Sequence, residues 1–143
     1  MFYGEFQHTV DPKGRIIIPA AFRDELKPKF MITKGLEGCL FIFSAPKWNN
    51  LVEKIETLPL SNNMARDFSR FFFSSAAQCE LDGHSRVLVP QELRSHAGLE
   101  KDISIVGVGN RVEVWSKDRW EKYMSGESLS PESLSDTFAL LGI

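Results

Sequence analysis

The sequence predicts an α+β fold, mainly β, in which one module occurs twice and short helices lie at the periphery. Three observations predict it. The segment Asp11-Pro12-Lys13-Gly14-Arg15-Ile16-Ile17-Ile18-Pro19 returns as Asp82-Gly83-His84-Ser85-Arg86-Val87-Leu88-Val89-Pro90, with the Asp, the Arg and the closing Pro each displaced by 71 residues. In each copy an Asp opens a turn, an Arg closes it, three apolar residues follow as a strand, and Pro stops that strand. Each half holds only about 70 residues, a size at which a lone core is marginal, so the halves are expected to support one another in a single body.

Taken in order, Met1 to Phe6 is aromatic-rich, and Phe2, Tyr3 and Phe6 alternate roughly as in a half-buried strand at a sheet edge. After the first turn Ile16 to Ile18 is a strand, and Pro19 opens the helix Ala20 to Leu26 as its first residue. Phe30 to Thr33 and Leu40 to Phe43 are strands joined by Gly35-Leu36-Glu37-Gly38, whose two glycines permit positive φ. Ser44 caps a helix with Pro46 in its first turn and Trp48, Leu51, Val52 and Ile55 on one apolar face. Leu58 to Asn63 breaks that helix and connects the halves. A helix from about Asn63 then ends in Phe71-Phe72, and Phe73 to Ala77 stands where the first strand stood in copy one.

The second copy repeats the scheme. Pro90 to Ala97 is a short helix, Ile103 to Val108 and Val112 to Trp115 are strands around Gly109-Asn110, and Ser116 caps a helix through Met124. The offset grows from 71 to 72 between the Arg turns and the Ser44/Ser116 caps, so one residue is gained in a loop. Ser125 to Ser135 is serine-rich and reads as mobile, while Ser130-Pro131-Glu132 suits the start of a last helix carrying Leu134, Phe138 and Leu141.

Composition narrows the function. With 43% hydrophobic residues in 143, the chain fills one ordinary core, and a net charge of -2 gives no bulk attraction to nucleic acid. Any such binding must rest on a local basic patch. Cys39 and Cys79, one in each half and both within predicted strands, read as reduced thiols of a cytosolic protein. Neither they nor the scattered His8, His84 and His96 have the spacing of a metal site. No phosphate-loop pattern, zinc-protease helix motif or nucleophile elbow occurs, so neither enzymatic activity nor a cofactor is expected. Asp82, His84 and Ser85 do not make a hydrolase triad, because neighbours on one tight turn cannot align acid, base and nucleophile.

The two turns read instead as paired recognition elements, with Lys13, Gly14 and Arg15 in one and His84, Ser85 and Arg86 in the other. An arginine fork suits guanine O6 and N7 in the major groove, Lys13 suits a phosphate, and glycine allows close backbone approach. Asp11 and Asp82 are turn-stabilising, accepting bonds from turn amides and holding the guanidinium. A solvated surface pair is the better explanation of one such turn taken alone, but stability requires neither Arg of a symmetric pair. Ser85 replaces the glycine of the first turn, so the second turn is expected to bend differently, with the Ser85 hydroxyl available to a phosphate.

Asp-x-x-x-Arg followed by an apolar strand and Pro resembles the AbrB-type swapped-hairpin module. Two such units behind Met1-Phe2-Tyr3-Gly4 resemble the MraZ family, a likeness that runs from Met1 to about Leu141. The resemblance implies a duplicated AbrB-like swapped-hairpin barrel forming an intrachain pseudo-dimer, with Lys13, Arg15 and Arg86 facing double-stranded DNA. It also implies a cytoplasmic, nucleoid-associated transcriptional regulator, unconnected with membranes, that reads promoter direct repeats upstream of the division and cell-wall gene cluster and assembles into a homo-oligomeric ring. The organisation expected is a first module at 1–60, a connecting helix at 61–75, a second module at 76–124, and a tail or docked helix at 125–143. The competing expectation, by analogy with AbrB-like antitoxins, is an interaction module whose tail binds a partner protein.

Overall fold

A computed structural model describes residues 1–143. In chain order the elements are β1 (Phe2–Thr9), β2 (Arg15–Ile17), α1 (Ala20–Leu26), β3 (Phe30–Lys34), β4 (Leu40–Ser44), α2 (Ala45–Glu56), α3 (Asn63–Ser74), β5 (Ala77–Cys79), β6 (Arg86–Leu88), α4 (Gln91–Ala97), β7 (Asp102–Gly109), β8 (Val112–Ser116), α5 (Lys117–Met124) and α6 (Pro131–Leu140), with a 3-10 turn at Glu127–Leu129. None of the helices is long and apolar enough to cross a membrane.

All strand pairings are antiparallel, and most cross between the halves. The large sheet runs β1-β7-β8-β4-β3-β5, so β1 pairs with β7, β4 with β8 and β3 with β5, each time joining one copy to the other. Exchanging the copies reverses this order into itself, which is a pseudo-two-fold passing between β4 and β8. The sheet is open, with β1 and β5 at its edges, and hydrogen bonding does not close it into a barrel. The strands flanking each Asp–Arg turn also do not continue as a hairpin, because β2 leaves its own copy and pairs with β6.

One core serves both halves. Phe2, Ile16 and Phe22 from the first copy pack in the same buried cluster as Val87, Leu93 and Ile105 from the second. Each such side chain contributes about 1.5–3 kcal/mol when removed from water, which neither half would accumulate alone. A smaller cluster holds α2 and α3 to β4 through Phe43, Ile55 and Phe72, with Trp48 stacked on Phe72 at 5.3 Å.

Several local expectations change. Pro19 and Pro90 are N-cap residues, one position before the helix. In the Gly35–Gly38 loop the positive φ belongs to Glu37 and Gly38, while Gly35 makes room for Phe41, whose ring would lie 2.6 Å from a Cβ placed there. Cys39 lies in that loop and only Cys79 is in a strand; both are buried free thiols. Helix α3 continues through Phe73 and Ser74, where Phe72 and Phe73 pack with Trp48; β5 therefore keeps three residues where β1 has eight. The serine-rich tail is helical, with Ser130 accepting the N–H of Ser133 and the Ser133 hydroxyl donating to Glu127 O.

Candidate nucleic-acid interface

Each turn is built around one carboxylate. Asp11 Oδ1 accepts the backbone N–H groups of Lys13 and Arg15, both at 2.9 Å, and Oδ2 accepts Arg15 Nε at 2.7 Å. The Asp11 N–H donates to Arg15 O and the Gly14 N–H to Asp11 O, each at 2.9 Å. The second turn repeats every bond. Asp82 Oδ1 accepts from His84 N at 2.8 Å and Arg86 N at 3.0 Å, Oδ2 accepts Arg86 Nε at 2.9 Å, and the N–H groups of Asp82 and Ser85 donate to Arg86 O and Asp82 O. Aspartate fits because its short side chain reaches amides two and four residues ahead while its second oxygen meets the guanidinium.

The bonds to the charged carboxylate lower its pKa. The Arg86 N–H, followed by that of His84, holds Asp82 at about 2, below the ordinary 3.8, and the Arg15 N–H lowers Asp11 in the same way. Both turns bend through a left-handed residue just before the Arg, with φ of 85° at Gly14 and 61° at Ser85. The serine thus does not alter the bend; it adopts the glycine conformation at a cost of about 1–2 kcal/mol.

The turns meet through β2 and β6, whose register is Arg15 opposite Leu88, Ile16 opposite Val87 and Ile17 opposite Arg86. Alternation buries Ile16 and Val87 and leaves Arg15, Ile17, Arg86 and Leu88 on the other face of the ribbon. Two further bonds lock the halves together, Ile18 N–H to Ser85 O and Val89 N–H to Gly14 O, both at 3.0 Å. Because Asp takes only Nε, both Nη groups of each guanidinium keep their N–H donors free of bonds within the chain. Lys13 and His84 stand exposed at the turn tips.

Sequence reasoning missed three residues at this surface. Ile17 and Leu88, 41% and 57% exposed, lie between the two arginines, and the period-two alternation from Arg15 could have found them. Arg94 of α4 lies against Gly14 across the two halves, a proximity that only the fold creates. No group of His, Cys, Asp and Glu side chains is placed to hold a metal ion.

The fold and this surface define a class: a duplicated α+β module whose two Asp–Arg turns converge on one exposed ribbon. A family model described as "MraZ protein, putative antitoxin-like" matches the chain twice, over residues 1–71 and 72–140. The chain is 53% identical over its full length to the transcriptional regulator MraZ of Acetivibrio thermocellus and 52% identical to that of Alkaliphilus oremlandii, covering all of each relative. It is 49% identical to the transcriptional regulator MraZ of Caldanaerobacter subterraneus over 95% of both chains. The chain belongs to the MraZ family, and with relatives named as regulators it is not an enzyme.

Proposed function

We propose that the chain is a sequence-specific DNA-binding transcriptional regulator that reads promoter direct repeats with its two Asp-x-x-x-Arg turns. The observation that carries this is the common face of Arg15 and Arg86 on a two-stranded ribbon, an element of a size that enters the major groove. Their free Nη groups supply the bidentate fork that guanine accepts, and Lys13 supplies a phosphate contact. Ile17 and Leu88 between them suit thymine methyl groups. Cross-half pairing of β2 with β6 and β1 with β7 supports an AbrB-like swapped-hairpin pseudo-dimer, with modules at 1–60 and 76–124, a connector at 61–75 and a tail at 125–143. His84 and Ser85 in the second turn hold the places of Lys13 and Gly14, as weaker polar contacts.

At a net charge of -2 one chain has little long-range pull on DNA. A homo-oligomeric ring would present many turns together and raise avidity ~10²- to 10⁴-fold. The names of the relatives support a regulatory role, and the DNA-binding reading carries with it a cytoplasmic, nucleoid-associated place. A gel shift with the DNA upstream of this chain's own gene, against a random duplex of equal length, tests the reading; equal binding to both overturns sequence specificity. One observation favours a second reading, an antitoxin-like module, because α6 buries none of its side chains and is free to meet a partner protein. That reading requires a tail-deleted protein to bind DNA and assemble as the full chain does.

A further inference from the structure

The two turns match bond for bond, yet their surroundings do not. The Arg94 guanidinium lies against Gly14 with Nη1 nearest: a Cβ added there would stand 1.6 Å from Nη1 and 2.5 Å from Cζ. Arg94 makes no ion pair. Its side chain donates only from Nη2 to Gln91 Oε1, at 2.7 Å, and borders an open groove with Asp11, Pro12, Ser95 and Lys101. Its counterpart in the first copy, 71 residues earlier, is Arg23. Arg23 is instead tied to its own half, its Nε donating to Ile18 O at 2.8 Å. A physical reason lies in the residue each arginine would meet, since Ser85 carries a Cβ where Gly14 leaves the space that Arg94 fills.

We propose that Arg94, delivered by the second half onto the first turn, is a phosphate contact beside Arg15, and that the second turn has no equivalent. Each chain then presents one complete reading head, made of Lys13, Arg15 and Arg94, with Arg94 seated on the buried Gly14, and one partial head around Arg86. This rests on the DNA-binding reading above. The chemistry is that of an uncompensated guanidinium at the rim of a base-reading element, where its remaining N–H groups take a backbone phosphate and add affinity without sequence preference. The head is therefore composite, because neither half alone would build it.

The test is the salt dependence of binding to the chain's own upstream duplex and to a random duplex of equal length. Arg94→Gln should weaken both several-fold and lower the salt slope by about one, as loss of one phosphate contact does, whereas Arg94→Lys should keep the slope. Arg23→Gln should leave the slope unchanged. Gly14→Ser keeps a turn that Ser85 shows a serine can form, but fills the seat of Arg94, so it should reproduce the loss from the opposite side. An unchanged slope in Arg94→Gln or Gly14→Ser, or an equal loss in Arg23→Gln, overturns the asymmetric head while leaving DNA binding itself intact. A wild-type protein that binds neither duplex overturns the DNA reading and this inference with it.

Discussion

Arg15 and Arg86 stand diagonally across one two-stranded ribbon, Arg15 opposite Leu88 and Arg86 opposite Ile17, so that residues 71 apart in sequence share a face. Each guanidinium is tethered at Nε by its own Asp, which fixes the direction of the fork before any ligand arrives. Preorganisation of this kind reduces the side-chain entropy lost on binding, about 0.5–1.5 kcal/mol for each immobilised side chain.

Removal of the fork should differ from removal of a point charge. Arg15→Ala is expected to cost roughly 1–3 kcal/mol of discrimination at each site, while Lys13→Ala weakens all sequences alike and lowers the salt slope by about one. Competition binding with operator and random duplexes separates the two. If Arg15→Ala retains the wild-type preference, Arg15 does not read bases.

Leu88 projects from the same face without a charge. Leu88→Ser should therefore change base preference at one position and leave the salt slope alone, since no phosphate contact is lost. Because the side chain is 57% exposed, the melting temperature should change little, and a thermal scan controls for this. A changed salt slope with unaltered preference would count against an apolar base contact.

Much of this architecture was legible in sequence because the repeat exposed it. An Asp, an Arg and a Pro at one offset announced both turns, and Ser44 and Ser116 announced the starts of α2 and α5, where each accepts a backbone N–H. What stayed hidden depends on partners distant in the chain. Neither the pairing of β2 with β6 nor the seat of Arg94 on Gly14 leaves a local signature, since both arise when one half crosses into the other. Local pattern also missed the positive φ of Glu37 and Ser85, because a tightly bonded turn can hold a non-glycine there despite its intrinsic cost. The end of α3 was likewise decided by packing of Phe72 and Phe73 against Trp48 rather than by any stop signal.

Acid should loosen the second turn in a defined window. Asp82 has a folded pKa of about 2, against an ordinary 3.8, with the Arg86 N–H as the largest cause. Since the folded value is the lower one, its stabilising contribution is complete above the ordinary value and is lost as the pH falls toward about 2. Asp82→Asn should remove that part of the acid dependence, seen as a shallower fall of stability across the window. An unaltered acid limb in the variant would mean that Asp82 does not hold the turn.

The tail offers a test of assembly separate from folding. Phe138, Leu140 and Leu141 are 47%, 86% and 69% exposed, and α6 has no fully buried side chain. Deletion after Gly126 should therefore leave the thermal unfolding of the body nearly unchanged, because no core contact is lost. The number of subunits in the assembly, from the light-scattering mass divided by the mass of the truncated chain, is expected to fall if those side chains meet a neighbouring subunit. A truncated protein with an unaltered subunit number excludes the tail from the assembly contact.

Spacing along the DNA gives the most demanding prediction. Beyond the Debye length a slightly acidic protein gains little from its global field, so the proposed reading assigns tight binding to several local heads engaging together. Heads carried by subunits arranged head to tail meet the duplex in one orientation, which selects direct repeats over a palindrome. The major groove returns to the same side of the duplex about every 10 base pairs, so repeats near that interval keep successive heads in register. The proposed ring, if closed, would curve away from straight DNA, so that either the duplex bends, at about a few kcal/mol over a short site, or the ring opens. Insertion of about five base pairs between two intact repeats rotates one of them to the far side of the helix. Tight binding should then fall to the affinity of a single repeat, while insertion of about ten base pairs should restore most of it. Affinity that is indifferent to both insertions would show that the heads bind independently and would remove assembly as the source of tight binding.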